Sequence, residues 1–149
     1  MLYLAMAFDN AGGSIQLKTS AMDPVGKPDI VWHGAGSEAI FKTMNAEVRE
    51  HARALGSRFI ENPTWAFLGL KHLVTAHPLG GCPVGEDSAH GAVNEFGQVF
   101  AADGSVWSGL RIVDGALIPS ALAVNPLFTI SALAERIAER QIQELGGTE

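Results

Sequence analysis

Hydrophobic residues recur at helical spacing in two segments of the chain. In the first segment they lie three or four positions apart and therefore share one helical face: Phe41, Met44, Val48, Ala52 and Leu55. Ser37 is a residue type that caps helix N-termini, and Gly56 stands where a C-terminal glycine cap belongs. The pattern predicts an amphipathic helix near residues 37–55.

The second periodic segment lies near the C-terminus. Its apolar positions again fall on one face: Ile130, Leu133, Ala134, Ile137 and Ile142. Asn125 is a favourable N-cap and Pro126 a favourable first helical residue, because proline lacks an N–H that the first turn leaves unpaired anyway. The sequence predicts a helix near 126–144 that stops at Gly146-Gly147.

Short apolar runs between these helices predict strands. Leu2–Phe8 and Ser14–Leu17 flank a glycine-rich loop at residues 9–13, which suggests a hairpin. The turn-rich stretch at 23–28 separates this hairpin from the next strand. Further short strands are expected at Asp29–Trp32, Arg58–Ile60 and Leu110–Val113. Residues 94–99 are expected to form a turn that enters another short strand. The fold class is therefore α+β or mixed α/β, with several antiparallel strands.

Residues 75–85 break both patterns, since two prolines and three glycines punctuate eleven residues. His77 precedes a proline and is therefore held in extended backbone. The flexible Leu79-Gly80-Gly81 that follows allows the main chain to pass close to a flat ligand. The alternative is a rigid surface turn whose histidine is merely solvated.

Composition and charge narrow the possible partners. The chain has 149 residues, 47% of them hydrophobic, and a net charge of −6 without a basic run, which argues against nucleic acid. Cys82 is the only cysteine, so an internal disulfide is impossible. The N-terminal stretch lacks the basic start of a signal peptide, and the central Asn125-Pro126 argues against a membrane span over Gly115–Ala134. By default this predicts a cytoplasmic chain, although the location of a full-length protein stays open.

Two further patterns are weak. Gly34–Ala39 matches G-x-G-x-x-A and opens the first helix, but the preceding strand is short and begins with a charge, so a helix-entry turn is favoured over an NAD-binding βαβ unit. A metal site is also disfavoured, because its possible ligands match no zinc spacing: His72, His77, Cys82 and His90. The sequence predicts no metal.

The start of the second helix is a stronger candidate for chemistry. A helix N-terminus exposes free N–H groups and the positive end of the dipole, which favour an anion or negative charge that develops during a reaction. Asn125 adds a donor and an acceptor at this position. The alternative is that Asn125 simply caps its own helix.

Four blocks in a fixed order make the sequence recognisable. Residues 75–82, 94–99, 109–119 and 124–136 together resemble the C-terminal part of the glucose-methanol-choline (GMC) flavin oxidoreductases. The resemblance covers about residues 70–140 and is greatest to the cholesterol-oxidase branch, because Asn125 stands where many members have a second histidine. Residues 1–65 carry no signature but are compatible with the family's substrate domain.

The resemblance implies an FAD-dependent enzyme that oxidises an alcohol. By analogy, His77 bonds the substrate hydroxyl as base or orienting group, and Asn125 holds the substrate oxygen and faces the flavin ring. Asp114 and Gly115 are implied to contact the ribityl-pyrophosphate region of FAD. The turn at the helix start is implied to offer N–H groups to the pyrimidine end of the ring, with four residues: Asn125, Pro126, Leu127 and Phe128.

The same resemblance implies that part of the FAD site lies elsewhere. The family's N-terminal dinucleotide-binding unit has no counterpart in this chain, so residues 1–75 are interpreted as part of the substrate-binding domain sheet and 76–149 as the C-terminal, FAD-contacting segment. The expected partner is the N-terminal FAD-binding part, and the isolated chain is expected to bind FAD weakly or not at all and to be inactive. Surfaces that should meet the missing part, such as Leu127–Ala134, are expected to stay exposed and apolar, and self-association is one way to cover them. The alternatives are a non-catalytic module that lost the cofactor and acts through binding or self-association, or an NAD-binding βαβ module. The sequence identifies neither the alcohol nor the electron acceptor.

Overall fold

The computed structural model describes residues 2–66 and 71–146, which combine helices and strands as an α+β chain requires. The chain divides into two compact units, Met1–Ala76 (unit 1) and His77–Glu149 (unit 2). Unit 1 contains strands β1 (Ser14–Ser20) and β2 (Asp23–Val31), helix α1 (Ala39–Ala54) and the short helix α2 (Pro63–Ala66). Unit 2 contains strands β3 (Gln98–Phe100) and β4 (Val106–Arg111) and helix α3 (Leu127–Glu144). Within the described ranges, no helix has both the length and the apolar character to cross a bilayer.

The hairpin of unit 1 lies one loop later than the sequence predicts. β1 pairs antiparallel with β2 across the two residues Ala21 and Met22, and Leu2–Phe8 is not a strand. Residues 9–13 instead form a loop in which Asp9 and Asn10 side chains accept backbone N–H groups two residues on. The Asn10 side chain also accepts a hydrogen bond from Trp32 at 3.2 Å, which fastens the loop to the end of β2. These side-chain bonds compete with strand pairing, and that competition is the reason for the difference.

The turn-rich stretch at 23–28 is part of β2, contrary to the prediction. Proline is tolerated in a strand whose outer edge has no neighbour, and Pro28 pairs with Leu17 in such a two-stranded sheet. The register shifts between Lys18 and Ser20, opposite Gly26, whose φ of 79° makes the local bulge possible. The predicted strand at Asp29–Trp32 corresponds to the last part of β2, which ends one residue earlier at Val31, whereas Arg58–Ile60 is not a strand.

Helix α1 confirms the predicted element and its apolar face. Ala52 is buried and Phe41, Met44 and Val48 are half-buried, although Leu55 at the end is exposed. Gly56 ends the helix as predicted: its φ is 65°, and the following Ser57 donates its backbone N–H to the Ala52 carbonyl at 2.9 Å.

The N-terminal cap of α1 differs from the prediction. Gly34, in the left-handed region, leads into a 3₁₀ turn that contains Ser37, so Ser37 lies outside the helix it was expected to cap. Glu38 occupies the N-cap position instead, without a capping side-chain hydrogen bond.

Unit 2 encloses a small hydrophobic core. Val93, Leu117 and Ile137 are at most 3% exposed and pack together, so the core joins the loop before β3, the turn after β4 and the middle of α3. β3 begins at the predicted turn, while β4 starts at Val106 and stops at Arg111 rather than spanning Leu110–Val113. Helix α3 agrees with the predicted 126–144 in extent; the second residue of its predicted Gly146-Gly147 stop lies outside the described residues.

A backbone crossing fixes the loop at residues 85–91. A Cβ atom on Gly91 would lie 2.6 Å from the Gly85 Cα, so only glycine allows the two backbones to meet. Two hydrogen bonds flank the crossing: Gly85 donates to the Val93 carbonyl at 2.9 Å, and Ala92 donates to the Pro83 carbonyl at 2.8 Å. The two ends of the loop are therefore held together where Gly85 and Gly91 meet.

Candidate functional site

Three of the predicted site segments meet around Gly115. A Cβ atom on this buried glycine would lie 3.1 Å from a Leu79 methyl, 3.3 Å from the Pro78 carbonyl oxygen and 3.2 Å from a methyl of Ile130. Leu79 and Pro78 belong to the histidine loop, and Ile130 belongs to the first turn of α3. Segments that are distant in sequence are thus brought together at one point of unit 2.

Main-chain hydrogen bonds join the end of the histidine loop to the turn after β4. Cys82 donates its backbone N–H to the Ala116 carbonyl at 3.0 Å, and Val84 donates to the Leu117 carbonyl at 3.0 Å. Gly80 has a φ of 77°, and a Cβ atom on it would lie 3.4 Å from the Ile118 carbonyl oxygen. Gly80 therefore packs against the chain's own backbone, and the flat ligand expected beside residues 79–81 stays a prediction. His77 itself is half-buried.

Asp114 stabilises a turn of its own segment. Its Oδ1 accepts the backbone N–H of Ala116 at 2.9 Å and so caps the 3₁₀ turn Gly115–Leu117. The carboxylate is otherwise exposed. This capping places the carboxylate at the same turn that packs against the histidine loop.

Pro126 occupies the N-cap position of α3 without a side-chain capping bond, and the helix begins at Leu127, one residue later than predicted. Asn125 therefore lies just before the N-cap rather than at it, contrary to the prediction. Its Oδ1 accepts the Leu127 N–H at 3.1 Å, while the first backbone bond of the helix runs from the Ile130 N–H to the Pro126 carbonyl at 2.9 Å. Among the residues that the structure describes, no acceptor is assigned to the N–H groups of Phe128 and Thr129. The helix start thus presents two backbone donors, and the amide nitrogen of Asn125 supplies a third.

Exposure separates the predicted cofactor contacts into two groups. Asp114, Asn125, Leu127 and Phe128 are exposed, with Phe128 reaching 85%. Pro126 and Gly115 are buried, so they support the helix start and the turn from the interior. The exposed group is accessible to a ligand, whereas the buried group positions the exposed residues.

Sequence reasoning missed one strained residue at this site. Ala123, two positions before Asn125, has a φ of 55°, a conformation that costs a non-glycine residue about 1 kcal/mol or more. No sequence signal marks an alanine for the left-handed region. Such strain often occurs at functional sites, where the surrounding structure enforces it.

The structure also bears on two weaker sequence candidates, the Gly34–Ala39 motif and a metal site. The strand before Gly34–Ala39 pairs antiparallel within a hairpin, so this motif does not belong to a βαβ unit. A Cβ atom on Gly36 would overlap the Lys71 carbonyl oxygen, so Gly36 serves a close packing contact. Within residues 2–66 and 71–146, no group of three histidine, cysteine or acidic side chains could hold a metal ion.

A pocket of about 300 Å³ lies beside α3 in unit 2. Leu117, Leu133 and Ile137 supply apolar walls, and the Glu95–Arg136 ion pair, at 3.1 Å, lies at its edge. None of the seven predicted site residues lines this pocket, although Leu117 and Thr129 belong to two of the segments that meet at Gly115.

The chain belongs to the GMC oxidoreductase family: the family's C-terminal model matches residues 9–134, which include α1 and the first two turns of α3. The match contains every segment described above, from the histidine loop to the start of α3. It also extends well before residue 70, where the sequence alone showed no signature.

Individual relatives are oxidases by name. A long-chain-alcohol oxidase of Arabidopsis thaliana is 31% identical over 72% of this chain. Cholesterol oxidases of Mycobacterium tuberculosis and Acinetobacter baumannii are 42% and 28% identical over 44% and 91% of it. The matches span 13%, 10% and 23% of those three proteins, so the relatives are far longer. No solved structure matches significantly.

Proposed function

We propose that this chain acts as the C-terminal portion of an FAD-dependent enzyme that oxidises an alcohol at its CH–OH group. The observation that carries the proposal is the meeting of the histidine loop, the Asp114–Leu117 turn and the start of α3 around Gly115. Membership of the GMC family and the names of the relatives support an oxidoreductase that acts on alcohols or sterols.

The chain's own residues would orient the alcohol and remove its proton. His77 would accept the hydroxyl proton at a ring nitrogen, and the Asn125 Nδ2 would donate a hydrogen bond to the same substrate oxygen. The Asn125 Oδ1 already accepts the Leu127 N–H, so the amide nitrogen is the atom left to face the substrate. FAD, when bound, supplies the acceptor for the hydride that leaves the substrate carbon.

The start of α3 fits one edge of a flavin ring. The unassigned N–H groups of Phe128 and Thr129 are suited to acceptor oxygen and nitrogen atoms, and the helix dipole favours negative charge that develops there. Asp114 lies at the turn that would approach the ribityl-pyrophosphate part. Pro126 and Gly115 would support these contacts from the interior rather than through their side chains.

We further propose that the dinucleotide half of FAD is bound by the family's N-terminal portion, which would be the partner of this chain. The 149 residues offer donors for one end of the flavin but no βαβ unit in the described ranges. Titration of FAD into the isolated chain is therefore expected to show weak or no binding and no alcohol turnover. Tight stoichiometric binding would overturn this part of the proposal.

Substitution of His77 tests the catalytic assignment in an FAD-loaded GMC enzyme that carries these residues as its C-terminal portion. His77→Ala should lower kcat by roughly 10²- to 10⁴-fold while FAD remains bound, because a positioned general base contributes about that much. His90→Ala is the matched control, since His90 is an exposed histidine of the same unit. Equal effects of the two substitutions, or unchanged turnover in His77→Ala, would favour the non-catalytic alternative.

Asn125→Asp tests the second residue without removal of its hydrogen bond to Leu127. The aspartate can still accept the Leu127 N–H, so the helix should be retained in circular dichroism. It lacks the amide donor and places a negative charge at the helix start, so turnover should fall steeply. Turnover close to wild type would contradict the role proposed for the Asn125 amide.

A further inference from the structure

Residues 119–125 connect the Gly115–Leu117 turn to α3, and both ends of this connection are buried. Ile118 is 4% exposed and Pro126 is fully buried, so the interior of unit 2 fixes both ends. Within residues 2–66 and 71–146, no backbone hydrogen bond is assigned to residues 119–125. The path of the connection therefore depends on the backbone angles of its own residues.

One of these residues turns the chain from the interior to the surface. Ala123, with its φ of 55°, is the only residue of this fully described connection that has left-handed backbone. Leu122, just before it, is half-buried, whereas Val124 and Asn125, just after it, are exposed. The turn at Ala123 thus lies two residues before the amide that would face the substrate.

Asn125 has little freedom to compensate for a change in that turn. Because a proline follows it, steric contact disfavours helical backbone at Asn125 and favours an extended conformation. Its Oδ1 is also held by the Leu127 N–H at 3.1 Å. The direction of the Asn125 amide nitrogen therefore depends on the turn at Ala123, whose strained conformation persists because the surrounding structure enforces it.

We propose that Ala123 is a positioning residue for the alcohol oxidation, because its left-handed turn directs the Asn125 Nδ2 toward the substrate oxygen. The inference rests on the proposed function and adds a residue that acts through Asn125 rather than by contact with the substrate. Left-handed backbone is accessible to glycine and, at some cost, to asparagine, but it is strongly disfavoured for β-branched residues. Activity of variants at position 123 should therefore follow their tolerance of this backbone and not their side-chain volume.

The effect of the turn on Asn125 can be measured in the 149-residue chain without any reaction. Ala123→Val should shift the NMR signals of the Leu127 backbone amide and the Asn125 side-chain amide, because their hydrogen bond changes when left-handed backbone is lost. Ala123→Gly and Ala123→Asn should leave both signals near their wild-type positions. Ala11→Val is the matched control, because Ala11 also has left-handed backbone, at a φ of 48°, but lies in a loop of unit 1.

The same variants test the catalytic consequence in the FAD-loaded enzyme, with kcat expressed per bound FAD. Ala123→Val should lower kcat by roughly 10- to 100-fold while FAD remains bound, because a small misplacement of a reacting group can cost that much. Ala123→Gly, Ala123→Asn and Ala11→Val should stay close to wild type. Ala123→Met, whose unbranched side chain disfavours the turn less, takes the place of Ala123→Val if that variant does not bind FAD.

A double variant separates positioning from a general loss of stability. Asn125→Asp already lacks the donor that Ala123 would position, so Ala123→Val should lower kcat by no more than about twofold in that background. An equal loss with and without Asn125→Asp, or a loss in Ala123→Asn as large as in Ala123→Val, would overturn the inference. If Asn125→Asp lowers turnover and Ala123→Val does not, the inference alone fails; if neither lowers it, the role proposed for Asn125 fails as well.

Discussion

The two units of the chain bury their apolar residues to different degrees. Unit 2 places Val93, Leu117, Ile118 and Ile137 at 4% exposure or less, whereas Ala52 is the one hydrophobic residue of the described part of unit 1 that is classed as buried. Unit 1 nevertheless contains regular elements, a hairpin and a four-turn helix. Regular hydrogen bonding therefore does not require an enclosed core, but a fixed arrangement of loops such as that around Gly115 does.

The largest expected effect is at a buried glycine of unit 2. A Cβ atom on Gly97 would overlap the Ile112 carbonyl oxygen and lie 3.0 Å from an Ile137 methyl, and its φ is 69°. Gly97→Ala should therefore cost about 3 kcal/mol or more of stability. Gly104→Ala, at a φ of 84° but with open space around it, should cost only about 1 kcal/mol. Hydrogen exchange of the backbone amides of residues 77–146 measures the loss of stability in both variants. Equal losses in Gly97→Ala and Gly104→Ala would mean that the core of unit 2 is loosely packed.

Truncation of one apolar side chain in each unit sharpens the comparison. Ile137→Ala removes a residue that is 1% exposed and should cost about 3 kcal/mol, because it leaves a cavity. Val48→Ala, at a half-buried position of α1, should cost about 1 kcal/mol. Ile142 was predicted on the apolar face of α3 but is exposed, so Ile142→Ala should change stability by about 0.5 kcal/mol or less. Urea unfolding measures all three, and a loss in Val48→Ala as large as in Ile137→Ala would show that unit 1 has an interior too.

The smallest expected effect concerns the charge on an exposed loop of unit 2. A side-chain hydrogen bond with His90 and the backbone N–H of Ala89 lower the pKa of Asp87 below its ordinary 3.8. Because the pKa of Asp87 is lower in the folded state than in the unfolded state, its ionised carboxylate stabilises the fold fully above about pH 3.8. This stabilisation is lost as the pH falls through the pKa of the folded state. His90→Ala should move the Asp87 carboxyl titration, followed by NMR, upward toward 3.8. The Asp103 carboxyl, whose pKa is lowered chiefly by Ser105, should not move.

The helices were predictable from sequence because their apolar spacing and their ends are local signals. The three-to-four spacing and Gly56 predicted α1, and Asn125-Pro126 predicted the start of α3. The first hairpin was not predictable in the same way. Residues 9–13 have the composition of a hairpin turn, while the real turn at Ala21-Met22 has no glycine or asparagine and is followed by a strand with two prolines.

The segments of the candidate site were predictable because four blocks occur in a recognisable order. Their packing was not, since it depends on contacts between distant residues. Gly115 was assigned to cofactor contact, yet its missing side chain makes room for Leu79, Pro78 and Ile130. The left-handed Ala123 likewise has no local signal, because the surrounding fold imposes its conformation.

The backbone crossing of Gly85 and Gly91 has a consequence for how this protein can be altered. The hydrogen bonds from Gly85 to Val93 and from Ala92 to Pro83 lie outside the five residues between the glycines. Those five residues can therefore be exchanged, extended or replaced by a tag with little additional loss of loop-closure entropy, while the rest of unit 2 keeps its arrangement. Neither glycine has this freedom, so position 88 is a suitable place to insert a reporter while both glycines are kept.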